Sequence, residues 1–320
     1  MRYRHEPMRL LVITARYPTS DRPAAGGFVR DRLADPRLTS LVVAPRRYDS
    51  PAWRRYTALL WRGLTSRGPF DGVEGHFVLP SGFVALVVAR LRRLPLVIYA
   101  HGWDVREMAG RNRLLRWAAS AVVRGADAVV TNSRETAGLV ERLGASAVVV
   151  PPGIDLSQFA PQPRPGQRRI LYLGGDLSHK GVEVARQLAD TLVGPGIREV
   201  DPSEIPALIA AHTIVLVPSL AEPFGLVAAE AIASGRWVVA RAVGGLVDIV
   251  ADGVNGSLVA DGDFAGALAR VPDYDPATVA STAARFSIEE HRRRMAGIWS
   301  GVLEGRMAQP RVRPPASRIQ

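Results

Sequence analysis

Two glutamates separated by seven residues carry the clearest chemistry in this chain. They bound the segment Glu222-Pro223-Phe224-Gly225-Leu226-Val227-Ala228-Ala229-Glu230, which follows the apolar run 214–217 and opens a helical pattern. Pro223 suits the first helical position, where its missing N–H costs nothing. The unbonded N–H groups around Phe224, Gly225 and Leu226 at a helix N-terminus then make a diphosphate site. Gly225 lets a phosphate approach the backbone closely. Glu230, further into the helix, can accept both hydroxyls of a ribose. Glu222 is placed at the carboxyl edge of the sheet, where open α/β sheets bind ligands.

A second signal is cation usage. Of 41 Lys and Arg residues, one is lysine, Lys180; the other 40 (41 − 1) are arginine. A compact ammonium on a flexible stem is a point-charge ligand for phosphate, which a planar guanidinium is not. His101, directly after an apolar run, is a packed histidine or a site residue; its neighbours decide. Gly26-Gly27 reads as an ordinary turn or a phosphate loop. Asp261-Gly262-Asp263 has the form of a metal-binding Asp-x-Asp, but Asp263 suits an N-cap for the following helix. We therefore expect no metal and no cofactor; Lys180 and the helix N-terminus offset diphosphate charge.

These residues need a frame. Short β-rich apolar runs at 10–14, 41–44, 96–100, 128–131 and 147–150 alternate with helical patterns at 83–91 and 113–123. That is the βα alternation of a doubly wound parallel sheet. A polar, proline-rich stretch at 161–167 reads as a linker. A second series follows, with strands expected at 170–173, 197–200, 213–217, 237–240 and 257–259. Helices are expected at 182–193 and Ile288–Leu303, and a disordered Pro/Arg-rich tail over 306–320. The domains expected are 1–152 and 153–305, the latter including the final helix.

At this point the sequence resembles the retaining glycosyltransferases of family 4, glycosyl transferases group 1. The glutamate pair with Phe-Gly after the first is that family's signature. Gly26-Gly27-Phe28, His101-Gly102-Trp103-Asp104, Thr131-Asn132-Ser133, Pro152-Gly153-Ile154-Asp155, Val243-Gly244-Gly245 and Asp252-Gly253-Val254-Asn255-Gly256 match its other segments in order. Gly174-Gly175-Asp176-Leu177-Ser178-His179-Lys180-Gly181 matches its Gly-Arg-x-x-x-x-Lys-Gly loop, with Gly175 where the arginine usually stands. The resemblance implies the GT-B fold: two Rossmann-like doubly wound domains facing a cleft, here with a shortened second domain. It implies a hexosyltransferase acting with retention on a nucleotide-sugar donor. His101 would lie beside the transferred sugar, Glu222 would hold its hydroxyls, Gly27 and Lys180 the donor phosphates, and Glu230 the ribose. The acceptor would be a glycan, a lipid-linked saccharide or a small molecule. The shortened second domain keeps two alternatives open, a catalytically silent binding scaffold and a nucleotide-sugar epimerase.

Bulk properties set the surroundings. No cysteine is present, so no disulfide or thiolate site exists. The run 10–13 is too short for a signal-peptide core and reads as a first strand. Residues 1–150 hold 24 Arg and 12 acids, +12; the remainder holds 17 cations and 18 acids, −1. A basic first half suits an anionic surface. If residues 51–67 are helical, Trp53, Tyr56, Leu60 and Leu64 share a face, with Trp61 at its border and Arg54, Arg55 and Arg62 beside it. That pattern is expected to dock on an anionic membrane, or to pack on the domain's own sheet. No base-reading module is present, so no nucleic-acid partner is expected. The expected location is the cytoplasm, peripheral on the inner face of the plasma membrane.

Overall fold

The computed structural model of the protein describes residues 7–20, 22, 25–108 and 111–305; the tail expected at 306–320 lies outside them. Two compact units are present. Among the described residues the first runs from 7 to 131 and also comprises 137–149 and 295–305; the second comprises 132–136 and 150–294.

The first unit is built on a parallel sheet of order β2-β1-β3-β4-β5-β6. Its strands are β1 (Met8–Thr14), β2 (Leu38–Val43), β3 (Gly72–His76), β4 (Leu96–Ala100), β5 (Ala128–Thr131) and β6 (Val148–Val149). Helices α1 (Gly27–Leu33), α2 (Ala52–Thr65), α3 (Ser81–Arg92), α4 (Arg113–Gly125) and α5 (Arg134–Glu141) follow in turn. Leu10, Leu11, Val12 and Ile13 are fully buried, as strands covered on both faces are. Strand β3 was not expected from the sequence, because Gly-Val-Glu-Gly-His has no apolar run. Its Gly72 is required by packing: a Cβ there would lie 2.4 Å from the Trp299 ring.

The second unit carries a parallel sheet of order β11-β10-β9-β7-β8. Its strands are β7 (Ile170–Tyr172), β8 (Thr191–Leu192), β9 (Ile214–Val217), β10 (Trp237–Arg241) and β11 (Gly256–Val259). Helices α6 (Val182–Leu188), α7 (Ile205–Ala210), α8 (Leu226–Ala233) and α9 (Leu246–Ile249) connect them. The strand expected at 197–200 does not form. The edge strand is Thr191–Leu192 instead, and the helix expected to reach 193 stops at Leu188. Gly194 and Gly196, both with positive φ, turn the chain straight after it, so Ile197 lies in a turn. The segment at 161–167 is tied down rather than loose: fully buried Arg236 donates to the carbonyls of Gln162, Pro163 and Ala210.

The last helix, Ile288–Leu303, begins in the second unit, and from Met295 onward belongs to the first.

Candidate functional site

In each sheet the connection order reverses between two neighbouring central strands, the place where open α/β sheets bind their ligands. In the second unit these strands are β7 and β9. The loop after β7 carries Lys180; the loop after β9 carries Glu222.

These two loops are stitched together. Gly181 has φ 75, and a Cβ on it would stand 2.3 Å from Pro218 O, so only glycine lets the first loop rest on the end of β9. The Leu220 N–H donates to His179 O at 2.8 Å. The result brings Lys180 Nζ within 2.6 Å of Glu222 Oε2, across 42 residues of chain, and Ser219 Oγ donates to the same oxygen at 3.3 Å. Glu222 is fixed from behind as well. The Gly245 N–H donates to Glu222 O at 2.8 Å, and a Cβ on Gly244 would lie 2.0 Å from that oxygen.

Helix α8 starts at Leu226, capped by Gly225 with φ 110. Pro223 therefore precedes the helix by three residues instead of sitting in its first turn; the left-handed glycine makes the entry. Phe224 is buried against Phe286, ring centroids 5.9 Å apart, which anchors the entry. The first bonds to the cap come from Ala228 and Ala229, so the N–H groups before them are not used by the helix. Glu230 is half-buried on α8. Burial pushes its carboxyl up to about 7, and among the described residues nothing bonds that carboxyl.

Gly175 has φ 67, and a Cβ on it would meet Pro195 O at 2.7 Å. Tyr172 Oη donates to Gly175 O, and the Asp176 N–H donates to Pro195 O. This loop closes on Pro195 and leaves no room for a side chain at position 175, so the backbone itself excludes an arginine there. Asp263 is an N-cap, accepting from the Gly266 N–H at 2.8 Å. Among the described residues no cluster of three His, Cys, Asp or Glu is arranged to hold a metal ion. A cavity of about 380 Å³ opens at the opposite, amino-terminal edge of this sheet, lined by Arg164, Arg168, Thr213 and Tyr274. Arg164 is already paired with Asp273, and Tyr274 Oη is bonded to Thr213 O, so it is poorly suited to ligand chemistry.

In the first unit the reversal falls between β1 and β3. Gly26, with φ 69, has no room for a Cβ, which would lie 2.4 Å from Arg16 O; Gly27 starts α1 and meets no such restriction. The steric requirement expected of this loop thus falls on Gly26. His101 leaves the end of β4 into an aromatic box. Its ring lies 4.7 Å from Tyr99, 4.5 Å from Phe77 and 4.7 Å from Phe28. Its backbone N–H donates to Asp104 Oδ1 at 3.0 Å, and Asp104 Oδ2 accepts from the Val78 N–H. Burial pushes Asp104 up to about 6, opposed by those backbone bonds.

Sequence reasoning missed two residues here, Glu74 and His76, both buried in β3. His76 Nδ1 lies 3.1 Å from His101 Nε2, and His76 Nε2 lies 3.1 Å from Glu74 Oε1. The available signal was a charge and a histidine two apart around Gly75, which no periodicity marks as a central strand.

With two doubly wound sheets and a Lys–Glu pair beside a glycine-capped helix, the chain has the architecture of a glycosyltransferase. Residues 5–158 match the model of Glycosyltransferase Family 4, and residues 156–271 that of Glycosyl transferases group 1. The chain is 31% identical to D-inositol 3-phosphate glycosyltransferase 1 of Catenulispora acidiphila, over 83% of its length and 81% of the relative's. It is 30% identical to D-inositol 3-phosphate glycosyltransferase of Frankia alni, over 92% and 86%. The protein belongs to this family: it is a GT-B enzyme that transfers a glycosyl group from a nucleotide-sugar donor. Its fold is similar to sucrose-phosphate synthase from Thermosynechococcus elongatus, with TM-score 0.72, 20% identity and coverage of 94% and 100%. It is also similar to Anabaena HepE in complex with UDP-glucose, with TM-score 0.70, 18% identity and coverage of 92% and 99%.

Proposed function

We propose that this enzyme is a hexosyltransferase that works with retention of configuration and without a metal ion. The observation that carries the reading is the 2.6 Å approach of Lys180 to Glu222 beside the N-terminus of α8. A donor diphosphate competes with Glu222 for the ammonium and takes the unused N–H groups around Gly225. The carboxylate so released accepts hydroxyls of the sugar. Glu230 accepts the ribose hydroxyls, and His101 attends the transferred sugar. The bond from C1 to the phosphate oxygen breaks as the acceptor oxygen bonds C1 from the same face. The acceptor's proton passes to the leaving phosphate, so no enzyme nucleophile is needed. UDP-sugars are the first donors to try, since HepE was solved with UDP-glucose.

The acceptor is a glycan, a lipid-linked saccharide or a small molecule, and the enzyme works in the cytoplasm at an anionic membrane surface. Trp53 (65% exposed) and Trp61 (70%) stand off one side of α2, and Leu114 (71%) and Trp117 (61%) stand off α4 next to Arg113 and Arg116. Exposed tryptophans beside arginines suit a headgroup layer. Among the described residues no helix is long and apolar enough to cross a membrane.

A panel of nucleotide sugars, assayed for transfer and for hydrolysis, tests the reading. Turnover of one donor, with a product of the same anomeric configuration, is expected. Absence of turnover with every donor would make the chain a binding scaffold, and release of an epimerised free sugar without acceptor would make it an epimerase.

A further inference from the structure

Strand β3 buries a carboxylate and an imidazole that the reaction outlined above does not use. Glu74 is wholly buried, with both oxygens engaged: Oε2 accepts from Arg32 Nη2 at 3.1 Å and from Trp299 Nε1 at 2.8 Å, and Oε1 faces His76 Nε2 at 3.1 Å. Burial alone would push this carboxyl up. The adjacent Arg32 guanidinium and the bonds from His76 and Trp299 outweigh that and hold it well below the usual carboxylate range. A carboxylate only accepts, so His76 Nε2 carries a hydrogen. In a neutral His76 ring, Nδ1 is then an acceptor, and the group facing it at 3.1 Å is His101 Nε2. His76 is also stacked on Tyr99, at 5.7 Å, and on His101, at 5.3 Å. The charged or titratable groups around the pair are Arg32, Glu74, Tyr99 and Asp104.

We propose that Glu74 and His76 are positioning residues that fix His101 in one ring orientation and one tautomer, with its proton on Nε2. The chain of donors runs from His101 Nε2–H to His76 Nδ1, and from His76 Nε2–H to Glu74. Arg32 and Trp299 keep the terminal carboxylate charged and still. His101 therefore presents Nδ1 to its surroundings as an acceptor when neutral, and as a donor only when a further proton joins the pair. That a tautomer is set by the partner of the other ring nitrogen is general to histidine. The significance for catalysis rests on the role given to His101 above; the tautomer does not.

Long-range nitrogen–proton NMR on the full chain with labelled histidine tests this without any substrate. Wild-type His101, assigned by loss of its signals in His101→Asn, is expected to show a protonated Nε2 and an unprotonated Nδ1. A protonated Nδ1, or an even mixture, overturns the proposal whether or not any variant folds. His76→Phe keeps the stacked ring and removes both nitrogens, and Glu74→Gln removes the charge. Each is expected to give mixed tautomers at His101, with a roughly 10- to 100-fold lower kcat at unchanged donor KM. A wild-type spectrum in His76→Phe overturns the proposal. A wild-type chain that turns over no donor overturns the functional reading instead, and the spectra still decide the tautomer.

Discussion

The environment of Glu230 opposes the charged form of its carboxyl. Its carboxyl, raised by burial from 4.5 to about 7, prefers the proton in the folded state. Between those two values the folded chain binds more protons than the unfolded one, so stability falls as pH rises through the interval. Glu230→Gln should therefore leave the melting temperature nearly unchanged at pH 4 and raise it at pH 8. The gain at pH 8 is on the order of 1–3 kcal/mol. The same variant should weaken nucleotide-diphosphate binding, because ribose hydroxyls need the charged acceptor. Wild-type affinity is expected to rise from pH 6 to pH 8 in calorimetric titrations; a flat profile would remove Glu230 from the ribose. Lys180 supplies the complementary test. Lys180→Ala should cost about 1.5–3 kcal/mol of diphosphate affinity. Lys180→Arg should not restore it, since the guanidinium has to fit the gap Lys180 spans to Glu222. Restoration by arginine would show that charge alone suffices. The glutamates, Lys180 and His101 could be singled out in the sequence because their motifs are contiguous. Glu74 and His76 were not, because their importance lies in a partner 25 residues away and in Arg32 and Trp299 on remote elements.

At the scale of elements, the glycines after β10 decide where the Glu222 loop sits. Gly244→Ala would set a Cβ 2.0 Å from Glu222 O on a residue with φ 56. It should destabilise the fold by about 2–4 kcal/mol and reduce UDP binding together with it. Gly253→Ala has a comparable φ of 74 but meets nothing within 4 Å. It should cost only about 1 kcal/mol and leave binding intact. Thermal melts and UDP titrations of the two variants separate backbone strain from displacement of the site. Helix α2 shows how tertiary packing divides one pattern into two. Leu59 and Gly63 are buried, and Tyr56, Leu60 and Leu64 pack on the same core. The face expected for membrane docking is therefore largely the helix's own packing face. Arg62 donates to Ala44 O at 2.7 Å and Arg55 to Tyr48 O at 3.2 Å, so both belong to the fold; Arg54 instead lies over the Trp53 ring. What remains for an interface is the stripe of Trp53 and Trp61. Replacing both with Ala should reduce sedimentation with anionic vesicles and leave the melting temperature unchanged. Arg62→Gln should lower the melting temperature. Equal sedimentation of the double variant would move any docking surface to Leu114 and Trp117 on α4.

For the whole molecule, the +12 of residues 1–150 against the −1 of the remainder is a charge difference between the first and second parts of the sequence. Electrostatic attraction of this kind is screened by salt, so vesicle binding should fall between low and high ionic strength. Donor turnover, in contrast, should survive EDTA, because Lys180 and the α8 N-terminus are assigned the diphosphate charge. Activity lost to EDTA and restored by magnesium or manganese would overturn that assignment.

The sequence by itself determined the alternation of strands and helices, a helix leading to Glu230, the lone lysine and the final helix Ile288–Leu303, because each is a local pattern of periodicity, capping or composition. Tertiary structure alone decided the rest. It made Gly-Val-Glu-Gly-His a central strand, since β1 and β4 pair with it on both sides and supply the burial its own side chains do not announce. It chose 191–192 over 197–200 as the edge strand, since the neighbour β7 ends where Gly194 must turn the chain. It also set Lys180 against Glu222, because 42 residues of intervening chain return to the adjacent strand of the same sheet, and no local pattern encodes which strands become neighbours.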